Sequence, residues 1–417
     1  MFRRALPLVL GFLACSSPSI DGKTPPEPSA DTDASPKPTP ARSEDAASLP
    51  TSTDAGSETA APLVPGGQLT VLSLNLHCLK TEGTVFPTNT ERFAAIASAV
   101  ATEDVDVILA QEVCSTPTAN ARTMLTEALG KATGTPWSST SAFAHRAWEG
   151  TPDEADESLA IFSRGALTAP HETVHRVQGT LRRVTLEATT ASRMTTAQRA
   201  ALPVRVYTVH LDYSTPNARG MQAREAASAA LFETDTERLG LDAGGGAVSL
   251  PVVVAGDFNA LSADPAPQAL RDFGFLETSG SASTRRIDHV FVHRSAPFTQ
   301  ASSKVLFEGA QAVSDHPGVL VRYVPGAPKP VKLTRIVARG AFPAGLSVRG
   351  DRAPLSWEQG WPAFPTMGAP ASVTLVTSEV PAVPFAYKFL RQDSDWANGN
   401  NVSGMGETDN ASSPTFP

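Results

Sequence analysis

The stretch Val252-Val253-Val254-Ala255-Gly256-Asp257-Phe258-Asn259 decides the reading of the chain. Its opening run of β-branched and small apolar residues suits a strand buried on both faces. A glycine then ends the run where two polar side chains, Asp257 and Asn259, begin. The same pattern recurs elsewhere. Asn75 follows Val71, Leu72 and Leu74, Glu112 follows Val107-Ile108-Leu109, and His210 follows Val206-Tyr207-Thr208-Val209. Asp288 follows Ile287, and Asp315-His316 precedes Val319-Leu320-Val321. One carboxylate at a strand end is an ordinary turn or cap residue. Six strand ends that select only Asn, Asp, Glu and His ask for a common purpose, and strand ends meeting at one sheet edge are where α/β folds build sites.

Around this core, strands are expected over residues 68–76, 105–110, 159–162, 204–209, 252–255 and 287–292. Helices fall between them. Thr88 and Glu91 form a capping box ahead of Phe93, Ile96, Ala97 and Val100, and Met124, Leu125, Ala128 and Leu129 give a second amphipathic helix closed near Gly130 or Gly134. A third helix is read over 218–239. This makes one α/β domain over 68–324, followed by a proline-bounded linker at 325–330. Beyond it, short β runs at 333–338, 345–349, 372–376 and 385–390 with Gly and Pro punctuation predict a small β-sandwich over 331–417.

Of the 417 residues, 34 are Lys or Arg and 42 are Asp or Glu, a formal charge of −8. That balance excludes a polybasic coat for nucleic acid, which needs a basic surface to release phosphate counterions. Three cysteines exclude a disulfide-dense mini-protein and a four-cysteine zinc site. There is no GxSxG elbow and no P-loop, since Gly244-Gly245-Gly246 lacks the Lys-Ser/Thr that would hold phosphate. At the start, Arg3 and Arg4 precede an apolar run, Ala5 to Ala14, too short to span a bilayer. With Leu13-Ala14-Cys15 it resembles a bacterial lipoprotein signal, residues 1–15. The resemblance implies lipidation of Cys15 and a place in the cell envelope, membrane-anchored at the outer membrane or cell surface. Residues 16–67 hold no aromatic side chain and are rich in Ser, Thr, Pro, Ala and Asp, the composition of a tether.

Oxygen donors such as Glu112 and Asp315 favour Mg²⁺ or Mn²⁺ over zinc, and with histidines nearby they suit hydrolysis of a phosphate ester. The landmarks stand in order: Leu72-Ser73-Leu74-Asn75, Asp106 to Val113, Glu157 to Arg164, Tyr207 to Asp212, Gly256-Asp257-Phe258-Asn259, Arg286-Ile287-Asp288-His289 and Ser314-Asp315-His316-Pro317. This set resembles the exonuclease, endonuclease and phosphatase superfamily, which includes deoxyribonucleases, abasic-site endonucleases, neutral sphingomyelinases and inositol-polyphosphate phosphatases. The resemblance implies a four-layer α/β sandwich of two packed sheets flanked by helices. Its implied activity is Mg²⁺-dependent cleavage of nucleic acid, with phospholipids or other phosphoesters as the alternative.

The implied roles fall on named residues. Glu112, Asn75 and Asp315 would hold Mg²⁺, while Asp257 and Asn259 would orient the attacking water and the phosphate. His210 backed by Glu157 would serve the leaving group, and His316 backed by Asp288 the phosphate. Either Arg182 or Arg183 would contact phosphate, and Asp212 and Gln222 match residues that are either functional or packing. Cys78, three residues after Asn75, and Cys114, two after Glu112, fall at one edge of such a fold, so a disulfide is expected. The segment 331–417 resembles starch-binding modules, in which Trp357, Lys388 and Trp396 would form a glucan platform. Ala397 and Val402 stand where that pattern has Glu and Arg. A silent glycan-binding surface protein is the remaining class, and the intact His210, Asp257, Asn259 and His316 set speaks against it.

Overall fold

In the computed structural model, the described residues are 63–64, 66–196, 200–234, 247–280, 286–327, 329–342, 345–365 and 372–417. Cys15, the tether up to residue 62, Gly244 to Gly246 and the last residues of the third expected helix lie outside them. Residues 63–64, read as the end of the tether, form a short strand β1 (Leu63–Val64) paired with Thr196 and Thr195.

The elements follow in order as β2 (Leu69–Asn75), α1 (Asn89–Thr102), β3 (Val107–Ser115), α2 (Ala121–Thr133), β4 (Ser138–Ala147), β5 (Ala155–Ser163) and β6 (Leu167–Val174). Then come β7 (Val184–Thr196), β8 (Ala201–His210), α3 (Pro216–Thr234), β9 (Val252–Asp257), α4 (Pro265–Asp272), β10 (Phe275–Glu277), β11 (Asp288–His293), β12 (Phe298–Leu306) and β13 (Gly318–Pro325). One sheet runs β12-β13-β2-β3-β5-β4 and the other β1-β7-β8-β9-β11-β10, with β6 on β7. Thr88 caps α1 by accepting from the Glu91 amide, and Gly134, at φ 69°, closes α2.

The unbroken apolar strands are explained by burial on both faces. Val71, Val107, Leu109 and Ile161 meet Val204, Val206, Val253 and Val290 between the sheets. Leu72, Leu74 and Ile108 point the other way, onto Phe93, Ile96, Leu125 and Leu129 of α1 and α2. Tyr207, Val252, Val254 and Phe291 do the same for the second sheet, onto Ala227, Ala230 and Leu270 of α3 and α4. This is the four-layer sandwich.

The C-terminal strands add a further layer. They are β14 (Thr334–Arg339), β15 (Leu346–Gly350), β16 (Trp361–Pro365), β17 (Ser372–Thr377), β18 (Pro384–Arg391), β19 (Asp395–Trp396), β20 (Val402–Met405) and β21 (Asp409–Ser412). β16 pairs with β15 through its first residues and with β17 through its last, so one strand links both halves of the β unit. The unit is not a bead on a linker. Trp361 is fully buried and stacks on Phe273 of the α4 end, ring centroids 4.0 Å apart, while Arg224 of α3 lies over the same indole.

Candidate active site

Register places the chemistry. His210 is the neighbour of Asp257 across β8 and β9, and Asp257 is the neighbour of Asp288 across β9 and β11, so three polar side chains form one row at a sheet edge. Asn75 ends β2 on the facing sheet, and its amide donates to Glu112 at 2.9 Å and to Asp257 at 3.3 Å. That one amide ties the two sheets together at the site. Glu112 is aimed there by a bulge in β3, where pairing with β5 shifts between Ala110 and Val113, and its φ is 50°. Bulges re-aim side chains, and a left-handed residue other than glycine is a strain usually kept for function.

The two histidines each meet a carboxylate. Nδ1 of His316 is 2.9 Å from Asp288 Oδ2, and its Nε2 faces Asp257 at 3.9 Å. Nδ1 of His210 is 3.3 Å from Glu157 Oε1, and its Nε2 faces Asp257 at 3.5 Å. Asn259, at φ 48°, donates its backbone N–H to Asp257 and its amide to the Leu211 carbonyl. Asp257 is therefore the point on which both imidazoles converge.

Charge in the site is lopsided. Burial, with Glu157 and Asp315 adding like charge, pushes the Glu112 carboxyl up to about 7 despite His210 and Asn75 nearby. Burial and the Asp257 charge raise Asp288 against the pull of His316. Burial alone would lower His316, yet its bond to Asp288 and the charges of Asp288, Asp257 and Asp315 lift it to about 10. Glu157 is the opposite case: burial is outweighed by His210, His145 and Arg183, which hold it well below the usual carboxylate range. Oxygen donors whose repulsion is unrelieved fit a hard divalent cation. Asn75, Glu112 and Asp315 could hold one, and ligand atoms of Asp257, Asp288 and His316 lie within 4.8 Å of one another.

The remaining expected residues divide. Arg183 is buried with Nη1 3.3 Å from Glu157, whereas Arg182 turns outward to Glu172 and the Phe143 and Ala144 carbonyls. Each arginine already holds protein partners. Asp212 caps the loop after β8, accepting from the Thr180, Ser214 and Thr215 amides, and Gln222 bonds its backbone. Both side chains are fully buried. Cys78 and Cys114 are joined in a disulfide, Cα atoms 4.7 Å apart. Trp357 and Trp396 are neighbours, but their rings are tilted by 42° with centroids 6.2 Å apart, not coplanar as a flat platform requires. Lys388 donates to the Gly399 carbonyl and lies 5.9 Å from the Trp396 ring.

Three residues at the site escaped the sequence reading. His77 has Nδ1 3.2 Å from Asp315 and 3.9 Å from Glu112. His145 reaches within 3.4 Å of Glu157 because β4 bulges between Phe143 and His145. Arg92, fully buried in α1, donates to the carbonyls of Leu76, Cys78 and Val313 and so braces the loop after β2. His77 stands two residues after Asn75 and was open to notice. The other two had no local signal.

No curated protein matches the chain. Solved structures that are similar include a family protein from Leptotrichia buccalis, 18% identical over 61% of this chain and 99% of that one, TM-score 0.45. A mannosyl-6-phosphatase from Bacteroides thetaiotaomicron is 18% identical over 61% and 99%, TM-score 0.44. The catalytic domain of human Nocturnin is 14% identical over 63% and 96%, TM-score 0.43. Residues 72–316, more than half of the chain, match the Endonuclease/Exonuclease/phosphatase family, and the chain belongs to that family of metal-dependent phosphoric ester hydrolases.

Proposed function

We propose that this enzyme is an exported, lipid-anchored, Mg²⁺-dependent phosphodiesterase that hydrolyses nucleic acid by in-line attack of water. The observation that carries the reading is the pair of imidazoles, each backed by its own carboxylate, that converge on Asp257. A divalent ion held by Asn75, Glu112 and Asp315 supplies, when bound, neutralisation of the phosphate charge. The chain's own groups do the rest. Asp257, fixed by the Asn259 amide, orients the attacking water. His210, steadied by the anionic Glu157, gives its proton to the leaving oxygen. His316, kept cationic by Asp288, faces the charge that grows on the phosphate.

A second reading has its own support. The hairpin between β4 and β5 carries Glu149, Asp153 and Glu154 beside the site, against Lys80 and Arg146, which are already paired with Asp153, Glu154 and Asp156. An acidic lip repels a long polyanion and favours a small phosphate ester or a phospholipid headgroup. The envelope location rests on Leu13-Ala14-Cys15, and glucan binding on the neighbouring Trp357, Trp396 and Lys388. Turnover of DNA, RNA, sphingomyelin and a nitrophenyl phosphodiester, each with Mg²⁺ and with EDTA, tests both readings. Hydrolysis of sphingomyelin or small esters alone would remove the nuclease, and full activity in EDTA would remove the metal-dependent mechanism.

A further inference from the structure

We infer that His77 adds a nitrogen donor to the cation site of this chain and so raises its affinity for Co²⁺ and Zn²⁺ relative to Mg²⁺. The inference rests on the metal-dependent reading above and adds a ligand to it. The imidazole Nδ1 lies between two carboxylates of the site, 3.2 Å from Asp315 Oδ1 and 3.9 Å from Glu112 Oε2. Donors about 2.1 Å from one ion are about 3 Å apart when adjacent and about 4.2 Å when opposite, so both distances suit a shared coordination sphere. The Asp315 side chain is 46% exposed, and its carboxylate accepts from the Ser314 hydroxyl and lies 3.2 Å from the His77 ring nitrogen.

The placement of the ring is built, not incidental. His77 and Cys78 both take left-handed backbone, φ 50° and 52°. The His77 N–H donates to Asn75 Oδ1 at 2.9 Å, the Cys78 N–H to the Glu112 carbonyl at 3.0 Å, and the disulfide holds Cys78 to the strand that carries Glu112. Arg92 grips the carbonyls on either side of His77. An imidazole that served only as a surface partner of Asp315 would need none of this bracing. A nitrogen ligand suits later first-row ions, whereas an all-oxygen set suits Mg²⁺.

Calorimetric titration of the full chain with Mg²⁺ and with Co²⁺, together with the visible spectrum of the Co²⁺ form, provides the test. Compare wild type, His77→Ala, His77→Asn and Glu112→Gln. His77→Asn keeps a residue that tolerates a positive φ and replaces nitrogen by oxygen. Both His77 variants are expected to lose on the order of tenfold or more in Co²⁺ affinity relative to Mg²⁺, with a changed Co²⁺ spectrum. An unchanged affinity ratio and spectrum in His77→Asn would overturn the proposal. Glu112→Gln separates the two levels: it should weaken both ions, and if it weakens neither, the cation site itself is misplaced and the ligand assignment falls with it.

Discussion

His293 makes the stability of the joint between the two halves of the molecule depend on pH. The side chain is fully buried in β11, and its ring bonds are assigned by their partners. The Ser295 backbone N–H can only donate, so Nδ1 accepts from it and from the Ser295 hydroxyl at 2.8 Å, and Nε2 carries the hydrogen that faces Ser378 Oγ of the C-terminal unit at 3.1 Å. Protonation would set a second N–H against the Ser295 amide in a dry site. Burial, with the Arg294 charge, accordingly lowers the pKa from 6.5 to about 3. The folded value lies below the unfolded one, so the unfolded chain binds more protons at low pH. The stabilisation is complete above about pH 6.5 and is lost as pH falls toward about pH 3. Full titration corresponds to about 5 kcal/mol, of which about 2 kcal/mol falls between about pH 7.5 and about pH 5. Urea unfolding of wild type and His293→Asn across that interval measures it. The variant starts less stable because it leaves a gap, but its stability should fall by about 2 kcal/mol less on acidification. Parallel pH curves for the two proteins would refute the neutral, buried assignment.

Three other outcomes are expected. Replacing His210 by Ala should cost on the order of 10² to 10⁴ in turnover with a poor alcohol leaving group and far less with a nitrophenyl ester, while Asp257→Asn and His316→Ala should impair both substrates alike. If His316→Ala is the variant rescued by the good leaving group, the two roles are reversed. Trp361→Ala removes the indole stacked on Phe273 and should destabilise the whole unit by about 3–5 kcal/mol, in one unfolding transition read by urea melts. A variant in which the C-terminal unit melts separately while the sandwich keeps its wild-type midpoint would show that the two do not share a core. Reduction of Cys78–Cys114, which closes a separation of 36 residues, should cost about 3–4 kcal/mol and weaken cation binding together with stability. An unchanged melting point under reductant would count against the bond.

The sandwich was legible because its strands are buried on both faces. A run such as Val252-Val253-Val254-Ala255 has no solvent side, so its length and β-branching mark it without any alternation. The helices α1 and α2 were legible for the complementary reason, a cap followed by one apolar stripe. The docking of the C-terminal unit was missed although α3 announces it. Ala223, Ala226, Ala227, Ala229, Ala230 and Leu231 are all buried and cannot lie on one stripe of a helix. A helix buried around most of its girth needs a partner on its outer side as well, and Trp361 and Phe364 of β16 supply it. The linker composition at 325–330 says where the chain changes direction, not whether the next unit detaches.

At the site, what could be read was whatever a strand end fixes by itself. Asp257 and His210 sit at the last residues of buried strands, so their neighbourhood follows once the strands pair in register. Glu112 and His145 do not follow in that way, because each is aimed by a bulge, and a bulge is a mismatch of count between two strands that neither strand contains alone. A regular β3 would send Glu112 to one face and its neighbours to the other, and a regular β4 would turn His145 away from Glu157. Both bulges flank β5, the strand that carries Glu157 between them. The same strand thus takes Glu112 and its strained φ on one side and the His145 imidazole on the other. The charges gathered around Glu157 and Glu112 are a property of that pair of irregularities, which is why motif order could name the acids while leaving His145 out.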